Sequence, residues 1–171
     1  MKKYIISLLT LAVISFGVAN AQKAQKIGHI NSQDLLTAMP ESDSAQKKLE
    51  KLAKEHENVL EEMTVEYNKK LEAYNKEFNN MSDLAKAAKE AELQDLQNRI
   101  QTFQQSAQED LQRKRMEFFK PIQDKALKAV NDVAAENGFT YILDSGIGAV
   151  VYEGPDAVDI LPLVKKKLGI Q

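Results

Sequence analysis

The sequence predicts an α+β fold: a long antiparallel α-helical coiled-coil hairpin arm inserted between the strands of a small β-containing oligomerisation body. Three observations predict it. Strand-like apolar segments stand near both ends of the 171-residue chain. Between them, from about Asp43 to Glu136, the chain is mostly Lys, Glu, Gln, Ala and Leu, which are strong helix formers. That run breaks at Asn79-Asn80-Met81-Ser82, where Ser82 can cap a new helix and the chain can double back.

The elements follow in order. Lys2 and Lys3 precede an uncharged apolar run from Tyr4 to Val18, then the small-x-small site Ala19-Asn20-Ala21. This is the pattern of a secretory signal peptide over residues 1–21, removed on export. The mature chain is expected to begin near Gln22, in a periplasm. No Cys occurs anywhere, so disulfides, thiol chemistry and a lipid anchor on Cys are excluded. The net charge of −2 becomes more negative when the two lysines leave, which argues against nucleic acid as a partner.

Residues 22–42 form the first part of the body. Lys26-Ile27-Gly28-His29-Ile30 reads as a short strand stopped by Asn31-Ser32, a good helix cap, and a short helix then ends at Met39-Pro40. Residues 43–120 form the arm. Its first helix carries one narrow stripe: Leu49, Leu52, His56, Leu60, Met63, Tyr67, Leu71, Tyr74 and Phe78. The repeat is about eleven residues, close to a straight helix, and a single stripe calls for a single partner helix. Folding the chain back at Met81-Ser82 sets Phe78 against Leu84, Tyr74 against Ala88 and Met63 against Ile100. It also sets Leu60 against Phe103, His56 against Ala107 and Ala45 against Phe118. Large residues then face small ones, which fills a seam without voids. At about 37 residues per helix the arm is ~55 Å long.

Residues 121–171 return to the body. Pro121 falls where the partner helix runs out, so a kink is expected there, an arm–body hinge that sends Ile122, Ala126, Val130 and Val133 onto the sheet. Asn137-Gly138 is a helix stop. Phe139 to Leu143 and Ala149 to Tyr152 read as two β-type runs joined by the turn Asp144 to Gly148. Gly154-Pro155-Asp156 opens a last helix with Leu161, Leu163, Val164 and Leu168, in which Pro162 is awkward. A body of roughly 60–70 residues, with few strands and open edges, predicts oligomerisation through that body.

Enzyme constellations are not found, and no cofactor or metal is expected. His29 and His56 are the only histidines and lie on different elements. His56 reads as a seam residue with a wet tip. Carboxylates such as Glu61, Glu62, Glu66, Glu109 and Asp110 read as solvated helix faces. Ser145 in Asp-Ser-Gly reads as a turn residue. Arg113-Lys114-Arg115 and Lys120 cluster around Phe118 and Phe119. A solvated arm base competes there with weak contact to a membrane surface or an acidic client segment.

The ordered motifs resemble one family. Lys26-Ile27-Gly28-His29-Ile30-Asn31, Phe119-Lys120-Pro121-Ile122-Gln123, Asn137-Gly138-Phe139-Thr140-Tyr141-Ile142-Leu143-Asp144 and Asp159-Ile160 with the last Leu/Val/Lys turn are together similar to the Skp (OmpH-type) periplasmic chaperones. The resemblance implies a homotrimer whose bodies join through strands and whose arms enclose a cavity. It implies an ATP-independent holdase for unfolded outer-membrane β-barrel proteins, in the periplasm. Well-known members are basic and this mature chain is acidic, so the resemblance does not carry lipopolysaccharide binding by a basic patch. Candidate client contacts are Tyr67, Tyr74, Phe78, Met81 and Leu84, where the seam reading of the rings competes. Candidate oligomer contacts are Ile27, Ile30, Tyr141, Leu143, Val150 and Tyr152. The rival from another class is a structural or adaptor hairpin of a periplasmic export assembly, whose flanks would be longer.

Overall fold

A computed structural model describes residues 25–170 of the chain. The signal-peptide expectation therefore lies outside the described residues. Strand β1 (Ile27–Ile30) leads into helix α1 (Ser32–Ala38) and long helix α2 (Pro40–Glu77). A 3-10 turn (Phe78–Asn80) precedes helix α3 (Asp83–Glu136), strands β2 (Tyr141–Asp144) and β3 (Val158–Asp159), and helix α4 (Leu161–Leu168).

The boundaries have local causes. The Asn31 side chain accepts hydrogen bonds from the N–H groups of Gln33 and Asp34 and so caps α1. Pro40 begins α2 rather than merely ending α1, because a proline in the first turn forfeits no helical hydrogen bond. The arm helix thus starts three residues before Asp43. At the tip, Ser82 Oγ accepts from the N–H of Ala85 and opens α3. Gly138, at a φ of +69°, takes the left-handed conformation that ends α3.

Helices α2 and α3 pack antiparallel along the arm. Cross-helix bonds fix the register: Lys70 bonds Glu92, the Tyr74 hydroxyl bonds Glu90, and His56 Nε2 lies 3.1 Å from Asp110 Oδ2. The seam is mostly half-buried, as two helices alone must leave it. Leu96 is the exception at 2% exposure, with Tyr67 half-buried at the corresponding place on α2. One expected pair fails. Leu84 is 83% exposed and does not cover Phe78; the Tyr74 ring meets Phe78 edge-on at 5.4 Å and Lys86 Nζ lies 4.4 Å from its ring centre. The 3-10 turn and the single extended residue pair Met81-Ser82 rotate the start of α3, so Lys86 rather than Leu84 faces back.

The body core lies where both chain ends meet the base of the arm. Ile30, Leu35, Met39, Ala45, Ile122, Ala126, Ala129, Val133, Ile160 and Val164 form its buried cluster. Helix α3 runs unbroken through Pro121, and its apolar face passes from the seam into this cluster at Ile122. Val130 is only partly buried and Ala129 takes the deeper place. Gly28 is buried under the Phe139 ring, where a Cβ would fall 2.9 Å from a ring carbon.

The sheet departs from the sequence-based expectation. Among the described residues it has three strands in the order β2-β1-β3, and β1 pairs in parallel with both neighbours. Ile27 lies beside Tyr141, and His29 sits between Leu143 and Asp159. The run Ala149 to Tyr152 is not a strand of this subunit, and no hairpin forms. The turn after β2 is tied down, since Asp144 Oδ1 accepts from Gly146 N and the Ser145 N–H donates to Ile30 O. The chain then crosses to the far side of β1 and forms β3. Pro162 proves undisturbing, because α4 begins at Leu161 and the proline occupies its first turn.

Candidate functional site

Two surfaces stand out, the arm tip and the outer face of the sheet. The tip is built by the 3-10 turn. Phe78 is 41% exposed and Leu84 is open to water, whereas Met81 is half-buried. Tyr67 and Tyr74 sit half-buried in the seam further down, so the five expected client residues do not form one patch. The seam holds the two tyrosines and the tip presents Phe78 and Leu84. Lys86 over Phe78 makes that ring part of an amphipathic surface, a greasy face with a cation above it.

The outer sheet face follows from strand alternation. Ile27 and His29 point away from the core while Gly28 and Ile30 point into it. Ile27 is 48% exposed, Tyr141 58% and Leu143 47%. Ile30, expected at an oligomer contact, is instead 4% exposed inside the subunit core and cannot touch a partner. Alternation places it opposite to Ile27, so the two could never share a surface. Val150 is half-buried, and Tyr152 is exposed. Sequence reasoning missed Val151 and Ile147, which are 97% and 75% exposed. No periodicity in the sequence marks them, because Ile147 lies in the turn after β2 and Val151 in a segment that pairs with no strand of this subunit, so their exposure follows from where the chain is carried.

The polar groups are used structurally. The Asp144 carboxylate accepts from Ser32 Oγ at 2.6 Å, from Ser32 N at 3.2 Å and from Gly146 N at 2.9 Å. Burial pushes this carboxyl up, but the bonds from Ser32 and Gly146 outweigh it and hold it below its ordinary value. The His29 imidazole lies 3.4 Å from the Glu153 carboxylate on the outer sheet face. Asp110 is not a merely solvated acid: it reaches across the seam to His56, whose ring also meets Phe103 edge-on at 6.0 Å. In the basic cluster, Arg113 pairs with Asp110, Lys114 with Glu117 and Lys120 with Asp124, each within one helical turn. Lys48 and Lys114 lie over the Phe118 ring. Most of that charge is thus neutralised locally.

No group of three or more His, Cys, Asp or Glu side chains that could hold a metal occurs among the described residues. Nor is any described helix long and apolar enough to cross a membrane. What the arrangement offers is surface: a long solvated arm with apolar residues at its end, and an uncovered apolar sheet face at its foot.

Comparison with known proteins agrees with that geometry. The family model described as outer membrane protein (OmpH-like) matches residues 26–168. The chain is 24% identical over 166 residues to the chaperone protein Skp of Pectobacterium atrosepticum, covering 96% of this chain and all of that one. It is 26% identical over 162 residues to the chaperone protein Skp of Yersinia enterocolitica, covering 91% of this chain and 98% of that one. A crystal structure of an OmpH-like outer membrane chaperone from Caulobacter crescentus superposes with a TM-score of 0.74 over 86% of each chain, at 15% identity. Because the family match spans both strand-bearing ends and the hairpin between them, the chain belongs to the OmpH-like outer membrane protein family.

Proposed function

We propose that this protein is a periplasmic, ATP-independent holdase that binds unfolded outer-membrane β-barrel proteins in a cavity between the arms of a homotrimer. The observation that carries the reading is the division of the molecule. A solvated arm, made of α2 and the part of α3 before Ile122, ends in exposed Phe78 and Leu84, and its foot is a small body with an uncovered apolar face. The similarity to Skp chaperones and to an OmpH-like outer membrane chaperone supports the same reading.

The physics is that of weak, repeated contact. An unfolded barrel protein exposes alternating apolar residues that aggregate in water. Outside the cytoplasm there is no ATP supply, so binding and release run at equilibrium. Several arms around one client multiply weak contacts through effective concentration. Their polar flanks let the client move while it is held, and the adaptable Met81 and the amphipathic Phe78–Lys86 surface suit varied sequences. The arms' swing is assigned to Pro121, where α3 leaves the seam.

The test is direct. A urea-denatured outer-membrane barrel protein is diluted into buffer with and without a molar excess of assembled chaperone, without nucleotide, and light scattering is followed. Suppressed scattering is the expected outcome; scattering equal to that of the client alone ends the reading. Sedimentation equilibrium of the mature chain gives the assembly, expected at three subunits.

A further inference from the structure

We propose that a groove at the root of the arm captures the C-terminal end of a polypeptide, seating its free carboxylate on Arg115 and its apolar last side chain against Leu36, Met116 and Phe119. The inference goes beyond the holdase reading and does not need it, because one subunit can hold a chain end without a cage.

The groove has a local cause. A single extended residue, Met39, separates α1 from α2, so the two helices diverge while α3 passes beside both. The gap between the three helices holds about 730 Å³, the size of an ordinary ligand site. Leu36, Met116 and Phe119 form its apolar wall. Leu36 and Phe119 lean on the body core. Met116 is 72% exposed, and its unbranched, adaptable side chain can close over a guest.

Charge marks one side of the groove. At the arm root Arg113, Lys114 and Lys120 each have a carboxylate at hand, and Lys47 holds Asp43. Arg115 lines the groove and has no such partner among the described residues. An unpaired guanidinium presents a fork of donors that matches a carboxylate. Much of the remaining wall is neutral and polar, with Gln33, Thr37, Ser42 and Gln123. The Ser42 hydroxyl is shut off from water and has no hydrogen-bond partner, an unused donor in that wall.

This lining selects among anions. A phosphate calls for more positive charge than one free guanidinium, and it would lie near Asp43 with Lys120 already engaged. An acyl chain would leave the amides and hydroxyls facing hydrocarbon. A peptide end brings one negative charge, and its backbone N–H and C=O groups can pair with the glutamines and hydroxyls. At a chain end the carboxylate and the apolar side chain hang on one Cα, which suits an arginine beside an apolar wall. An internal Asp or Glu sets them on different residues.

The test is fluorescence polarisation with the mature protein and an N-terminally labelled octapeptide that ends Ala-Val-Leu with a free carboxylate. Saturable binding is expected. The C-terminal amide of the same peptide, with or without an internal Asp, should bind at least tenfold more weakly. Arg115→Gln should weaken the acid about tenfold and leave the amide unchanged. Arg99→Gln, which removes an exposed cation further along α3, should change neither. Met116→Glu places a negative charge in the groove and should abolish binding of the acid; it is the second variant should Arg115→Gln disturb the helix. Arg115 and Met116 are both exposed, so helical circular dichroism should match the parent chain. Acid and amide bound alike, Arg115→Gln or Met116→Glu at parental affinity, or Arg99→Gln as weak as Arg115→Gln overturns the inference. Displacement of the peptide by an equal concentration of octanoate or inorganic phosphate assigns the groove to those anions and overturns it too. A parent chain that binds the acid selectively but leaves client scattering unsuppressed removes the chaperone reading and keeps this one. A parent chain that suppresses scattering but binds acid and amide alike does the reverse.

Discussion

At the scale of single residues, the body is held by a few polar contacts between chain ends far apart in sequence. Asp144 is the clearest case, since its carboxylate ties β2 to the start of α1 through Ser32, 112 positions away. Hydrogen bonds to a charged group contribute about 1.5–3 kcal/mol, so Asp144→Ala should destabilise the body by about that amount. The pH dependence has a definite sign. The carboxyl is depressed in the folded state, so its stabilisation is present above the unfolded value and is lost as pH falls through the lower, folded one. Acid titration of chemical stability should therefore show a decline below about pH 4 that is shallower in Asp144→Asn. Equal slopes would mean the carboxylate does not carry the lock. In the arm, His56 and Asp110 form the analogous contact across the seam, at 22% and 23% side-chain exposure. A double-mutant cycle on the pair at neutral pH should give a coupling of about 0.5–1 kcal/mol, and zero coupling would assign register to packing alone.

At the scale of elements, the hairpin was legible in the sequence because a single stripe of three-and-four spacing admits one kind of partner. Its register followed from the tip, and Lys70–Glu92 and Tyr74–Glu90 show it. What could not be read there was the last turn beside the tip, where the rotation of α3 set Leu84 in water and Lys86 over Phe78. The sheet was half legible. Its first two strands follow from composition, but Ala149–Tyr152 has strand composition without a partner in the subunit, while Val158–Asp159 has a partner in β1 and little strand signal. Pairing decides a strand, and pairing depends on where the chain is brought, which local composition does not encode. The same distinction separates two leucines on α3. Leu96 is buried in the seam, so Leu96→Ala should cost about 2–4 kcal/mol of arm stability, read as a lower melting temperature. Leu84 touches little, so Leu84→Ala should leave melting unchanged and weaken capture of an unfolded barrel protein. A Leu84→Ala protein that melts early would mean the tip is packed after all.

At the scale of the whole molecule, the two surfaces sit at opposite ends of a rod. Helix α2 is 38 residues, about 57 Å at the usual helical rise, and its base is in the body core at Met39 and Ala45. Nothing buried in the core lies beyond Ala45 on α2, and on α3 the core begins only at Ile122. Assembly and client capture should therefore be separable, since an antiparallel seam can be shortened without touching the foot. Excising matched stretches from both helices, so that the ladder keeps its register and a new two-residue turn closes it near the middle, should leave the assembly mass per subunit as expected for an intact ring. The same protein should lose suppression of client aggregation by an order of magnitude or more, because shorter arms enclose less volume and carry no Phe78 or Leu84. If the shortened protein falls apart into monomers, the arms contribute to assembly and the body face is not sufficient. If it holds clients as well as the full-length chain, the binding surface lies at the foot, and the outer sheet face would have to serve both roles.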